Sequence, residues 1–272
     1  MPFFLFTFLF LLYPSSTIVT RSFQDAKTQE FTLQNFYNLI NTPALINSYL
    51  LSIKVSLVTA LGGGIFGFLL AYSAIRGGLP PFMRSSLMTF SGVASNFAGV
   101  PLAFAFIALL SPTGMMTAWM RALGFNPYFY GFTLYNFWGL CLVYMYFQFP
   151  LMVLIIAPAI DGMRREWVEA SENLGATFGQ YWRYVALPIL LPSLLGTMIL
   201  LFGNAFGAFA TAQALTGGQI QLVTIVIGSQ LRGDVLGDAG LGYALSLGAV
   251  FVMAIAIAGY TILQRRTERW LK

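Results

Sequence analysis

Six long apolar runs, near residues 2–20, 48–75, 85–110, 134–158, 189–213 and 240–263, constrain this chain more than any other feature. A bilayer core about 30 Å thick is crossed by about 20 apolar residues in a helix, and each run comes close to that length or exceeds it. Runs such as Phe3 to Leu12 are apolar on every side. They lack the apolar–polar alternation of a membrane β-barrel strand, so the spans are expected to be helices. With 58% hydrophobic and 8% charged residues in 272, the chain is far oilier than a soluble domain. The expected fold class is all-α: a polytopic membrane protein of about six transmembrane helices, forming a single domain over 1–272.

Much chemistry is excluded at once. The chain has no His, which removes imidazole bases, zinc sites of the HExxH type and histidine proton switches. Its single Cys141 lies in an apolar run and permits no intrachain disulfide. No metal site is expected. The phosphate-loop pattern is missing, so the chain is not expected to bind ATP itself.

Lys and Arg predict an orientation. With the N-terminus in the cytoplasm, the inner side holds Arg76, Arg84, Arg164, Arg165, Arg183, Arg265, Arg266, Arg269 and Lys272, against Arg21, Lys27, Arg121 and Arg232 outside. Both termini are then cytoplasmic, and the net charge of +5 reflects membrane orientation rather than an acidic ligand or nucleic acid. Lys54 is left over, within snorkelling reach of the outer surface if the second helix begins near Ala44. The opening run lacks a basic n-region and a clear A-x-A site, so it is read as a retained helix rather than a cleaved leader.

On the inner side, between the fourth and fifth runs, lies a polar island. Asp161, Glu166, Glu169 and Glu172 are four of the nine acidic residues of the chain. Arg164 through Leu174 consists of good helix formers, with Trp167, Ala170, Ser171 and Leu174 spaced i, i+3, i+4 and i+7 as one stripe and the glutamates on its flank. Gly175 is placed to end that helix in the left-handed conformation. Thr177-x-x-Gln180 reads as a capping box opening a second helix, which Pro188 and Pro192 delimit or kink. The spacing predicts an exposed helical hairpin, a knob.

The same residues carry a resemblance. Glu-Ala-Ala, three residues, Gly, nine residues, Ile-x-Leu-Pro is the signature loop of permease subunits of binding-protein-dependent ABC importers. This chain is similar to it without gaps at Glu169, Ala170, Gly175, Leu187 and Pro188, with Ser171 for the second Ala and Val185 for Ile. Asn47-Ser48, Gly62-Gly63-Gly64, Gly67 and Ala71-Tyr72 before Arg76 also resemble the core of this family. The resemblance implies a type I importer permease in a bacterial inner membrane, with a coupling loop at about 161–188. Its implied partners are ABC ATPase subunits that carry ATP and Mg, a second permease subunit, identical or homologous, and an external solute-binding protein. The chain itself is then a transport subunit without cofactor, not an enzyme. Glu169, Ala170, Ser171, Leu174, Gly175, Leu187 and Pro188 would form the ATPase-coupling element: Ala170 and Leu174 entering an apolar groove, Glu169 meeting donors at its rim, Gly175 setting the angle of the knob. The plainer reading, acids that merely solvate a loop, does not account for the full spacing.

The pathway is less defined. Asn96, Gln148, Asn204 and Gln213 are polar residues in or beside the apolar runs, and each either lines a route or joins helices. Gly63-x-x-x-Gly67 and Gly203-x-x-x-Gly207 suit close helix packing. The segment Ala205 to Gly218 resembles permeases of the polyamine, ferric-iron, thiamine and aminoethylphosphonate group, and a polyamine or similar small solute is expected. An ion-coupled secondary transporter would need intramembrane ionisable groups, of which only Lys54 is a candidate. A membrane enzyme would need an assembled acid, base or nucleophile, and Ser85-Ser86 and the scattered tyrosines have no such partner.

Overall fold

Lipid offers the backbone no hydrogen bonds, so a spanning segment must pair its own N–H and C=O groups. A computed structural model of the chain describes residues 2–232 and 237–268, and among these the only β-pairing is an isolated bridge between Gln24 and Phe31. Arg269 and Lys272, used above for orientation, lie outside the described residues. The helices are α1 (Phe3–Ser22), α2 (Gln34–Asn41), α3 (Pro43–Arg76), α4 (Pro81–Asn96), α5 (Val100–Leu110), α6 (Met115–Ala122), α7 (Phe137–Asp161), α8 (Arg165–Asn173), α9 (Phe178–Phe206), α10 (Phe209–Thr216), α11 (Val223–Leu231) and α12 (Ala239–Glu268). Among the described residues, six segments are long and apolar enough to cross a membrane: α1, α3, the stretch Val100–Ala122, α7, α9 and α12 as far as Arg265.

Four of the expected runs coincide with α1, α3, α7 and α12. The second helix begins at Pro43, early enough to extend well past a bilayer core at about 1.5 Å per residue. Two expectations need correction. The run at 85–110 is not one helix: α4 stops at Asn96, and Gly99, at φ +75°, turns the chain into α5. That backbone region is open to Gly and costly for other residues, and Pro101 fits the first turn of α5 because its missing N–H would have had no helical partner. The run at 189–213 begins earlier, at Phe178, and breaks at Gly207-Ala208 before α10. Pro188 cannot donate to the Tyr184 carbonyl, and the helix widens there into a π turn over Trp182–Ala186, with the Leu187 N–H reaching the Trp182 carbonyl.

The chain divides into two compact units, Met1–Lys54 with Gly218–Ile255, and Val55–Gly217 with Ala256–Lys272. In the first, Leu45, Val226 and Leu245 form a core with Leu39, Tyr49, Ile227 and Leu241 packed on it. The Tyr49 hydroxyl donates to the Leu245 carbonyl. Buried Asn35 donates to the carbonyls of Ser22 and Gln24, tying α2 to the end of α1. The Ser52 hydroxyl accepts the first N–H of α11, that of Val223, which has no partner within its own helix.

The second unit is organised on α7, the most buried of the six spanning segments. Tyr144, Phe147, Met152, Ile156 and Ile160 are fully buried on it. Helix α3 approaches closely because it presents glycines: a Cβ on Gly63 would stand 2.6 Å from the Gln148 Cβ, and one on Gly67 would stand 2.6 Å from the Met152 Cβ and 2.8 Å from the Phe149 carbonyl oxygen. Close approach through small residues is the usual basis of helix association in lipid, where no hydrophobic drive separates helices from solvent. Gly67→Val should therefore destabilise the detergent-solubilised protein by about 1–3 kcal/mol through overpacking. Gly92→Ala, with nothing within 4 Å of the new methyl, should leave stability unchanged or raise it by up to about 1 kcal/mol. Thermal unfolding of the two variants checks the contrast, and equal melting temperatures would contradict the packing described.

Candidate functional site

The polar island folds as a hairpin whose backbone is capped at the end of α8 and at the turn into α9. At its entrance, Arg76 donates to the carbonyls of Ile160 and Met163, and Arg84 binds both carboxylate oxygens of Asp161 at 2.8 and 2.6 Å. Helix α8 then carries Glu166 in its first turn, where a negative charge suits the helix dipole. Its end is a full Schellman motif: the Ala176 N–H bonds the Ser171 carbonyl and the Gly175 N–H bonds the Glu172 carbonyl, each at 2.9 Å, with Gly175 at φ +75°. The capping box follows, the Thr177 N–H donating to the Gln180 side chain at 2.7 Å and the Gln180 N–H to the Thr177 hydroxyl at 3.4 Å.

The stripe expected on α8 is split. Ser171 is buried and its hydroxyl donates to the Val168 carbonyl, so it faces its own chain and offers no surface to a partner. Successive helical residues stand about 100° apart, so with Ser171 inward its neighbour Ala170 turns outward. Ala170 is exposed, and Leu174, at the cap where the chain has left the helix, is 88% exposed. Glu169 is exposed and pairs with Arg165 at 3.4 Å, an ion pair worth little in water. Leu187 is exposed and Pro188 partly so, beyond the π turn. Phe178, not singled out above, is 73% exposed at the start of α9. Its sequence signal is an aromatic directly after a capping Thr, outside any apolar period. An exposed Leu and Phe at the tip of a polar, rigidly capped hairpin form an apolar contact surface.

A second feature lies where α4 and α9 break. The Gly99 N–H donates to the Thr211 hydroxyl at 2.8 Å, joining the two breaks. Beside them is a cleft of about 490 Å³ whose lining includes Ser95, Gly99, Phe147, Asn204, Gly207 and Thr211. Irregular backbone at membrane depth is tolerated where it is buried or lines a cavity, which fits this placement. Of the four expected polar residues, only Asn204 lines the cleft. Asn96 is exposed at the end of α4 and donates to the Gly92 carbonyl. Gln148 is fully buried and donates to the Leu201 carbonyl at 2.9 Å, an interhelical arrangement that exposes no surface. Gln213 is half-buried on α10. Gly203 and Gly207 line the cleft, and a Cβ on Gly207 would meet only the Gly203 carbonyl of its own helix, so the expected packing role does not apply to Gly207. Ser95 and Thr211 were missed because a hydroxyl in an apolar run gives no sequence signal distinct from helix back-bonding. Among the described residues no cluster of His, Cys, Asp and Glu could hold a metal ion.

The orientation of α8 is testable by thiol reactivity. In a Cys141→Ser background, Leu174→Cys should react rapidly with a polar maleimide in open membrane vesicles, and Ser171→Cys several-fold more slowly. Equal rates would mean that Ser171 is not held inward.

Comparison with known proteins places the whole chain. The family model described as binding-protein-dependent transport system inner membrane component matches residues 1–272. The spermidine/putrescine transport system permease protein PotB of Haemophilus influenzae is 26% identical over 279 residues, covering 95% of this chain and 92% of that protein. The sulfate transport system permease protein CysT of Escherichia coli K12 is 26% identical over 215 residues, 78% of this chain and 72% of that one. In fold, the chain is similar to one in the crystal structure of a bacterial ABC transporter that imports the acidic polysaccharide alginate, with a TM-score of 0.78 at 18% identity over 98% of this chain and 93% of the other. A chain of the MetNI methionine ABC transporter gives 0.53 at 19% identity over 83% and 99%. Six apolar helices, the capped hairpin and the family match thus lead to one conclusion: this chain belongs to the inner membrane components of binding-protein-dependent transport systems, and is a multi-pass permease subunit of an ABC importer.

Proposed function

We propose that the hairpin of α8 and the start of α9 is the coupling element through which ATPase subunits drive this permease. The observation that carries the reading is the exposed tip, Ala170, Leu174 and Phe178, held at a fixed angle by the Schellman motif at Gly175. The apolar tip enters a groove on the ATPase, Glu169 meets donors at its rim, and Leu187 and Pro188 set the return into the membrane. ATP and Mg reside on that partner. A second permease subunit completes the pathway, a solute-binding protein delivers cargo, and both termini face the cytoplasm of a bacterial cell. The cleft beside Asn204 belongs to this chain's share of the route.

For the solute we propose a polyamine or a compound of similar size, supported by the match to PotB over nearly the full length of both chains. A second reading, a small oxyanion, is favoured by the cleft, whose lining has hydroxyls and an amide but no carboxylate, and by the match to CysT. In membranes holding the complete transporter and its binding protein, labelled spermidine should accumulate and labelled sulfate should not. The reverse result would favour the oxyanion.

Gly175→Val tests the knob. No atom lies within 4 Å of a Cβ built there, so the cost is the left-handed backbone alone, about 1–2 kcal/mol. Uptake should fall while the protein still inserts, and Gly175→Asn, which tolerates that backbone better, should retain more activity. Wild-type uptake and ATPase stimulation in the Val variant would reject the role of Gly175.

A further inference from the structure

Both roots of the hairpin are bound to one stripe of one helix. Phe68, Tyr72 and Arg76 follow one another at four-residue intervals along the last turns of α3 and so share a face. Arg76 holds the incoming root, donating to the carbonyls of Ile160 and Met163 where the chain leaves α7. Tyr72 and Phe68 hold the returning root, meeting the Trp182 indole edge-on with ring centroids 4.9 and 6.2 Å away. Phe178 packs on the same indole at 6.3 Å.

These holds differ in kind from those on the tip. Carbonyls at a helix C-terminus concentrate negative partial charge, and guanidinium donors to them make charge-assisted bonds stronger than neutral ones. Edge-on aromatic pairs add to area burial. The tip itself is braced by hydrogen bonds within the hairpin, the exposed Arg165–Glu169 pair and the Phe178–Trp182 contact, and leaves Ala170 and Leu174 uncovered. A force applied at the tip therefore meets its firm resistance at the two roots. From there α3 continues into its backbone contact with α7 at Gly63 and Gly67.

We infer that Arg76, Tyr72 and Trp182 are positioning residues that lash the hairpin to α3, so that motion imposed at Ala170 and Leu174 enters the membrane through α3 as one rigid body. The inference rests on the reading of α8 as the coupling element. It assigns to Trp182 and Tyr72 a contact that stays closed through the transport cycle, and to the segment between the roots no independent swing.

The test uses the complete reconstituted transporter and reads ATP hydrolysed per solute imported, a ratio that loss of folded protein alone does not raise. Trp182→Leu and Arg76→Met should keep ATPase subunits bound and hydrolysing while uptake drops, raising the ratio about tenfold; Arg76→Lys should raise it less. In a Cys141→Ser background, the double variant Tyr72→Cys with Trp182→Cys should be uncoupled when reduced, and a short reducible bis-thiosulfonate linker should restore coupling. A normal ratio in all the unlinked variants overturns the lashing. So does a linker that arrests transport until it is reduced, because the contact would then have to open in each cycle. Failure of the underlying reading shows separately: Leu174→Asp would leave ATPase co-purification and stimulation unchanged, removing the tip as the point where force enters.

Discussion

The structure depends on the demand that backbone polar groups in lipid be satisfied within the protein. Long helices meet it by default, and several of the described places where this chain leaves the helix carry a visible compensation. At the break before α5, the Gly99 N–H finds the Thr211 hydroxyl. At Pro188 the ladder shifts to a π turn. At the end of α7 the guanidinium of Arg76 takes up carbonyls at the helix terminus, and at the end of α8 two reverse hydrogen bonds do so. The irregular places are also the ones to which the proposed roles attach: the cleft at the breaks, and the hairpin beyond α7.

The polar residues follow the same logic. Gln148 occupies the interior of the second unit, where its amide bridges α7 to α9, and Ser52 spends its hydroxyl on the first amide of α11. Both are structural uses of a polar group in an apolar setting, where an unpaired donor or acceptor costs more than in water; Gln148 pairs its amide donor in this way while its Oε1 is buried without a hydrogen-bond partner. The exposed apolar residues of the hairpin invert the pattern. Leu174 and Phe178 stand largely exposed in a polar segment, Phe178 touching only one edge of Trp182 among the ring contacts described, and a burial still to be made is what a docking surface supplies.

Much of this was legible in the sequence because it is local. Apolar length located α1, α3, α7 and α12, and Gly175 and Thr177-x-x-Gln180 announced their turns through residue types that few other conformations favour. The breaks in the third and fifth runs were not legible, since summed hydrophobicity continues smoothly across Gly99 and Gly207. Nor was the facing of Ser171, because an i, i+3, i+4, i+7 stripe is wide enough for its two edges to point to different surroundings. Arg76 and Arg84 were counted only as markers of topology; their contacts with Ile160, Met163 and Asp161 join residues roughly eighty positions apart, beyond any local pattern.

The central claim is that force enters this permease at the tip of the hairpin. Covalent surface footprinting of the permease, with and without its bound ATPase subunits, measures this most directly. The account predicts protection concentrated at Ala170, Leu174 and Phe178, with Ser171 unmodified in both states. Undiminished labelling of Leu174 and Phe178 in the assembled complex, with protection elsewhere on the chain, would contradict it.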